Sequence, residues 1–82
     1  MSNVQNTYMT REEIISAKRK RLTPRERTVL ELILKGMSNK EIAYALNIGL
    51  RTAGDHCQAI LRKFEVRNKI NLVIKVLTED KI

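Results

Sequence analysis

The chain has 82 residues, 43% of them hydrophobic, with one Pro and three Gly, which is enough for one small domain around a single core and too apolar for a disordered chain. Its 16 Lys and Arg against 9 Asp and Glu give a net charge of +7 and a pI of about 10.0, so acidic partners are favoured, nucleic acid first and an anionic membrane surface second. No apolar run approaches the roughly 20 residues that span a bilayer, Met1 to Thr10 has no apolar centre of a signal peptide, and Cys57 has no second cysteine to pair with; no membrane partner and cytoplasmic residence are therefore expected.

Met1 to Met9 is polar and capless, which predicts a mobile arm. Thr10 with Glu13 opens a short helix carrying Ile14, Ile15 and Ala17 and ending in Lys18-Arg19-Lys20-Arg21. Residues 1–21 thus form a partly helical basic arm, either a solvated leader or a strand of charge lying along phosphates, and residues 22–82 form the domain. Leu22-Thr23-Pro24-Arg25-Glu26 is the clearest helix start: Thr23 caps, Pro24 stands where its missing N–H costs nothing, and Glu26 completes the capping box. That helix runs to about Lys35 with Val29, Leu30, Leu32, Ile33 and Leu34 on a wide apolar arc, and Gly36 terminates it in left-handed conformation.

Ser38 and Glu41 make a second capping box, ahead of a helix whose buried stripe is Ile42, Ala43 and Leu46. Asn47-Ile48-Gly49 breaks it: Asn and Gly tolerate left-handed backbone, and Ile48 can plug the gap between helices. A further helix restarts near Leu50. Ala53, Cys57, Ile60, Leu61 and Phe64 share one arc of it, while Arg51, Asp55, Gln58 and Arg62 line the opposite side. Asn68 caps a last helix through about Glu79. On this helix Ile70, Val73, Ile74 and Leu77 cluster and are expected in the core, whereas Leu72 and Val76 point away and are expected to form a self-complementary ridge for a twofold dimer. Without strand-like alternation or repeats, the fold class is all-α.

A helix pair joined by a tight turn, the second helix polar on its outer face, is the arrangement in which one helix crosses a phosphate backbone and the other offers side chains to base edges. Arg pairs with guanine O6/N7, Gln with adenine N6/N7, and Asp accepts from cytosine N4. Asp55 has a rival use, an i,i+4 ion pair that holds Arg51. Gly54 lets the backbone come close. Asn39, Lys40 and Thr52, near helix N-termini, suit phosphates. Adjacent His56 and Cys57 invite a metal or a nucleophile, but no other His or Cys completes one, and no Gly-rich phosphate loop or paired-carboxylate pocket is apparent. No enzyme, metal or cofactor is expected.

The ordered blocks LTPRERTVLELILKG, SNKEIAYAL, an Ile-led turn, then Thr52, His56, Ile60, Lys63 and Val66-Arg67-Asn68 resemble the LuxR/GerE-type DNA-binding domains of bacterial transcriptional regulators, from Leu22 to about Leu77. The resemblance implies a four-helix domain with a helix-turn-helix at its second and third helices, the third, about 50–64, entering the major groove, and the fourth pairing protomers into a homodimer. It implies double-stranded DNA as partner, with another regulator or RNA polymerase as further partners, a backbone or DNA-proximal place for His56, and, with only about twenty residues ahead of the domain, the stand-alone GerE type. This chain has Ala53-Gly54 where such domains usually carry Val-Lys, and Glu65 where they carry a glycine. The first removes a lysine often used at DNA and costs the helix up to about 1 kcal/mol; the second demands either a left-handed Glu65 or a different helix end. The leading expectation is sequence-specific DNA binding that controls transcription. A protein-interaction module that pairs with a full-length regulator and inhibits it is the alternative.

Overall fold

At three of the four full helices among the described residues, the start is made by a side chain that answers the first unpaired amides. In the computed structural model the described residues are Glu13, Ala17 and 21–79. The arm expected over Met1 to Met9 and the basic run before Arg21 lie outside them; Glu13 and Ala17 are helical. Helix α1 is Pro24–Leu34, α2 Asn39–Leu46, α3 Leu50–Phe64 and α4 Lys69–Glu79, and the described residues contain no strand.

At α1, Thr23 Oγ1 accepts from the Glu26 amide at 3.1 Å and the Thr23 amide donates to Glu26 Oε1 at 3.0 Å. Ser38 and Glu41 repeat the device at α2, with distances of 3.1 and 2.8 Å. The Asn71 amide donates to Asn68 Oδ1 at 2.8 Å to start α4. Helix ends use left-handed residues: Gly36 at φ 89°, Asn47 at φ 55° and Glu65 at φ 60°. Glu65 therefore takes the conformation that a glycine adopts at lower cost, and the next residue closes the helix with a Val66 amide to Leu61 carbonyl bond of 3.0 Å. Gly49 departs from expectation. It is extended, φ −69° and ψ 156°, and acts as the N-cap of α3 without a side-chain bond.

The core forms where the apolar arcs meet. Val29, Leu30 and Ile33 of α1, Ile42 and Ala43 of α2, and all five inward residues of α3, Ala53, Cys57, Ile60, Leu61 and Phe64, are buried. Leu32, Leu34, Leu46 and Ile48 pack against them from half-buried positions. Helix α3 touches each of the other three helices, so its outer face is the only one left for other work.

The last helix turns the opposite way from the sequence expectation. Leu72 and Val76, expected as a dimer ridge, are both 0% exposed and belong to the core, while Ile70, Ile74 and Leu77 are 71%, 55% and 47% exposed and Val73 is half-buried. Counting apolar residues favoured the more populous face. The buried arc also holds Lys69, at 100° per residue: its ammonium donates to Asn39 Oδ1 at 2.9 Å and to the Met37 carbonyl at 3.4 Å, contacts that only this rotation allows alongside burial of Leu72 and Val76. The anchor and the two buried side chains agree on one rotation, which leaves an apolar strip outside.

A second ion ties the end of α3 to the start of α1. Lys63 Nζ on α3 donates to Glu26 Oε1 at 2.7 Å and to the Arg21 carbonyl at 3.1 Å. Burial raises the pKa of the Glu26 carboxyl, but the Lys63 hydrogen bond, the Thr23 amide and the Lys63 and His56 charges outweigh it and hold the pKa below its ordinary value. A carboxyl with a lowered folded pKa stabilises the fold above its unfolded pKa of about 4.3 and loses that contribution as pH falls through the lower folded value. Glu26→Gln should cost about 1–2 kcal/mol at neutral pH. Thermal melts from pH 7 downward should show the wild-type chain losing stability below that range more steeply than the variant, and parallel curves would disprove the role of the pair.

Candidate nucleic-acid interface

Helix α3 can offer its outer face because its inner face alone satisfies the core. Arg51, Thr52, Asp55, Gln58 and Arg62 are all exposed, and Arg51, Asp55, Gln58 and Arg62 fall within one arc at 100° per residue. The first turn of α3 has no side-chain cap, so its leading amides and the positive end of the helix dipole face outward beside Arg51 and Thr52. Lys40 is exposed on the first turn of α2. His56 is half-buried on the flank shared with Lys63, close enough to Glu26 for its charge to help lower that carboxyl. It stands beside the row and not in it.

Asn39 occupies a more constrained position than its sequence setting implied. Its Oδ1 accepts from Lys69 Nζ at 2.9 Å and from the Cys57 thiol at 3.3 Å. An ammonium can only donate, so the carboxamide oxygen must face it and the NH2 must face away. That NH2 lies toward Gly54: the atom nearest to where a Gly54 Cβ would stand is Asn39 Nδ2, at 3.9 Å. Position 54 is thus a notch with an oriented donor at its edge. Burial pushes the Cys57 thiol up, against a smaller pull from the Lys69 charge, so it remains a protonated donor to Asn39. Nothing local in the sequence announces this network, because Lys69 enters it from 30 residues away.

Asp55 makes no hydrogen bond or ion pair with any described residue, Arg51 included. The intrahelical pair expected as its rival use is not formed. Sequence reasoning also passed over two exposed large side chains, Tyr44 on α2 and Leu50 at the head of α3, 90% and 57% exposed. Their period assigned them to neither core nor reading face. Among the described residues no group of three His, Cys, Asp or Glu is placed to hold a metal ion, and no helix is long and apolar enough to cross a membrane.

Residues 20–76 match the GerE family model, bacterial regulatory proteins of the luxR family. The chain is 36% identical over 77 residues to the nitrate/nitrite response regulator protein NarP of Escherichia coli (strain K12), covering 90% of this chain and 36% of the relative. It is 45% identical over 53 residues to the glycerol metabolism activator of Pseudomonas putida, covering 65% of this chain and 24% of the relative. The response regulator protein VraR of Staphylococcus aureus is 47% identical over 53 residues, again 65% of this chain and 25% of the relative. The chain therefore spans between 24% and 36% of the length of these relatives.

Gly54 is helical, its φ is not left-handed, and a methyl group there would make an ordinary contact at 3.9 Å. Gly54→Ala should accordingly stabilise the domain by up to about 1 kcal/mol, raising the melting temperature by roughly 4–8 °C. A lowered melting temperature would mean that the notch is closed more tightly by Asn39 than its geometry indicates.

Proposed function

The chain belongs to the luxR family of bacterial regulatory proteins, and we propose that it recognises specific sequences in double-stranded DNA as a homodimer, α3 lying in the major groove, to regulate transcription. The matched segment is a DNA-binding transcriptional-regulator domain. The observation that carries the finer reading is the outer face of α3: a continuous row of exposed polar side chains that takes no part in the core, on a chain with net charge +7. In this reading Arg51, Gln58 and Arg62 address base edges. Lys40, Thr52 and the oriented NH2 of Asn39 address phosphates, Gly54 allows close approach, and His56 stands at the groove's margin. The basic residues of 1–21, which apart from Arg21 lie outside the described residues, are proposed to add phosphate contacts. A cytoplasmic setting, where DNA is accessible, belongs to the same proposal.

Dimerisation is assigned to the strip that α4 leaves outside. Ile70, Ile74 and Leu77 project from one side of the helix, and Ile70 and Ile74 border a shallow groove shared with Ile33, Met37 and Val73. Two copies related by a twofold axis would cover these side chains with one another, and half-sites about one helical turn apart follow from that symmetry. The same strip supports the second reading, a module that pairs with a full-length regulator and withholds it from DNA. The glycine at position 54 favours that reading by removing a cation. Mobility-shift titrations separate the two: a module of that kind binds DNA weakly and blindly to sequence.

If each protomer neutralises about four phosphates, a dimer releases about eight counterions, and the logarithm of affinity should fall against the logarithm of salt with a slope near −7. A flat response from low to moderate ionic strength would argue against DNA as the partner. Ile70→Lys combined with Ile74→Lys should split the dimer in sedimentation while leaving helicity unchanged, and should weaken DNA binding with it. Leu72→Lys should unfold the domain instead, because a buried, unpaired ammonium is expensive. A dimer that survives both substitutions in α4 would move the interface elsewhere.

A further inference from the structure

Asp55 sits at the middle of the outward face of α3, about 180° around the helix from the centre of its buried arc at 100° per residue. It is exposed, and its carboxylate is engaged by no described residue, although Arg51 stands one turn before it and Arg62 two turns after. An acid on a DNA-facing surface is repelled by phosphates wherever they are near. The centre of a groove-filling helix is where they are farthest and where base edges are nearest. A free carboxylate at that point is an acceptor awaiting a donor.

We propose that Asp55 selects cytosine in the major groove, its carboxylate accepting from the N4 amino group; the inference rests on the reading that α3 enters that groove. An ionised carboxylate can only accept. Guanine presents two acceptors, N7 and O6; thymine presents O4 and a methyl group; adenine presents its N6 donor beside the N7 acceptor. Cytosine alone offers a donor with no acceptor next to it. The side chain of Asp is short, so the helix must come close for it to reach. Gly54 beside it supplies no side chain, and the space where its Cβ would stand has only Asn39 Nδ2 within 4 Å. The loss of a side chain at 54 and the acid at 55 are thus parts of one arrangement: bare backbone permits the depth, and the carboxylate uses it.

Selection of binding sites from a randomised double-stranded DNA pool tests this with the wild-type chain, Asp55→Ala and Asp55→Asn. The wild type should enrich cytosine at one position of each half-site, and changing that base should weaken binding about five-fold or more in titration. Asp55→Ala should flatten that position and leave the others, while Asp55→Asn should replace cytosine by adenine, whose N6/N7 edge a carboxamide matches. The assignment is overturned by an unchanged preference in all three proteins, or by a uniform gain in affinity of Asp55→Ala on every sequence, which would make the acid merely repulsive. A wild-type chain that holds DNA but enriches no cytosine overturns the assignment and leaves the DNA-binding reading standing. One that holds no DNA at low salt overturns both.

Discussion

The ammonium of Lys69 is the constraint on which the functional surfaces depend. By donating to the Met37 carbonyl and to Asn39 Oδ1 it joins the start of α4 to the α1–α2 loop and to the first residue of α2. Two features go with that one group. The arc of α4 that includes Lys69 faces inward, with Leu72 and Val76 in the core, and the Ile70, Ile74 and Leu77 strip is left outside. The Asn39 carboxamide, held by its oxygen, turns its NH2 toward Gly54. Desolvation offsets much of what a partly buried charge with two acceptors gains, so the burial of Leu72 and Val76 supplies the larger share of the preference for this rotation and the ammonium makes the opposite one costlier.

Much of the chain follows from local chemistry. Capping pairs Thr23 with Glu26 and Ser38 with Glu41, the left-handed Asn47 and Gly36, and the inward arc of α3 are all written in neighbouring residues, and all stand in the structure as their types dictate. The rotation of α4 is different in kind. It has two apolar faces, and which one is buried depends on contacts made 30 residues away, a tertiary fact that no periodicity contains. Gly49 is a smaller case: its residue type allowed either hand, and the extended N-cap was chosen by the helix that follows.

The site was legible to the same depth. That Arg51, Asp55, Gln58 and Arg62 share the outer face follows from their spacing alone. That Asp55 ignores Arg51 does not, because an i,i+4 pair of opposite charges is the ordinary expectation and the two side chains instead stay apart. Asn39 was assigned to phosphates from its place at a helix start, and the structure adds what the sequence lacked, the partners that orient it from behind.

These features divide affinity from selectivity in the proposed complex. The outward row of α3 has Arg51 and Arg62 at its ends and Asp55 at its centre, with no lysine at 54, so it contributes little net charge to counterion release. Lys40, exposed on the first turn of α2, and the cations of 1–21 are proposed to supply phosphate contacts instead, and such contacts are blind to sequence. A reading face of low net charge gains little from nonspecific DNA and depends on matched bases for its hold. On that proposal each half-site is weak by itself, and the joining of two protomers through the exposed α4 strip would then be what raises affinity to a useful level.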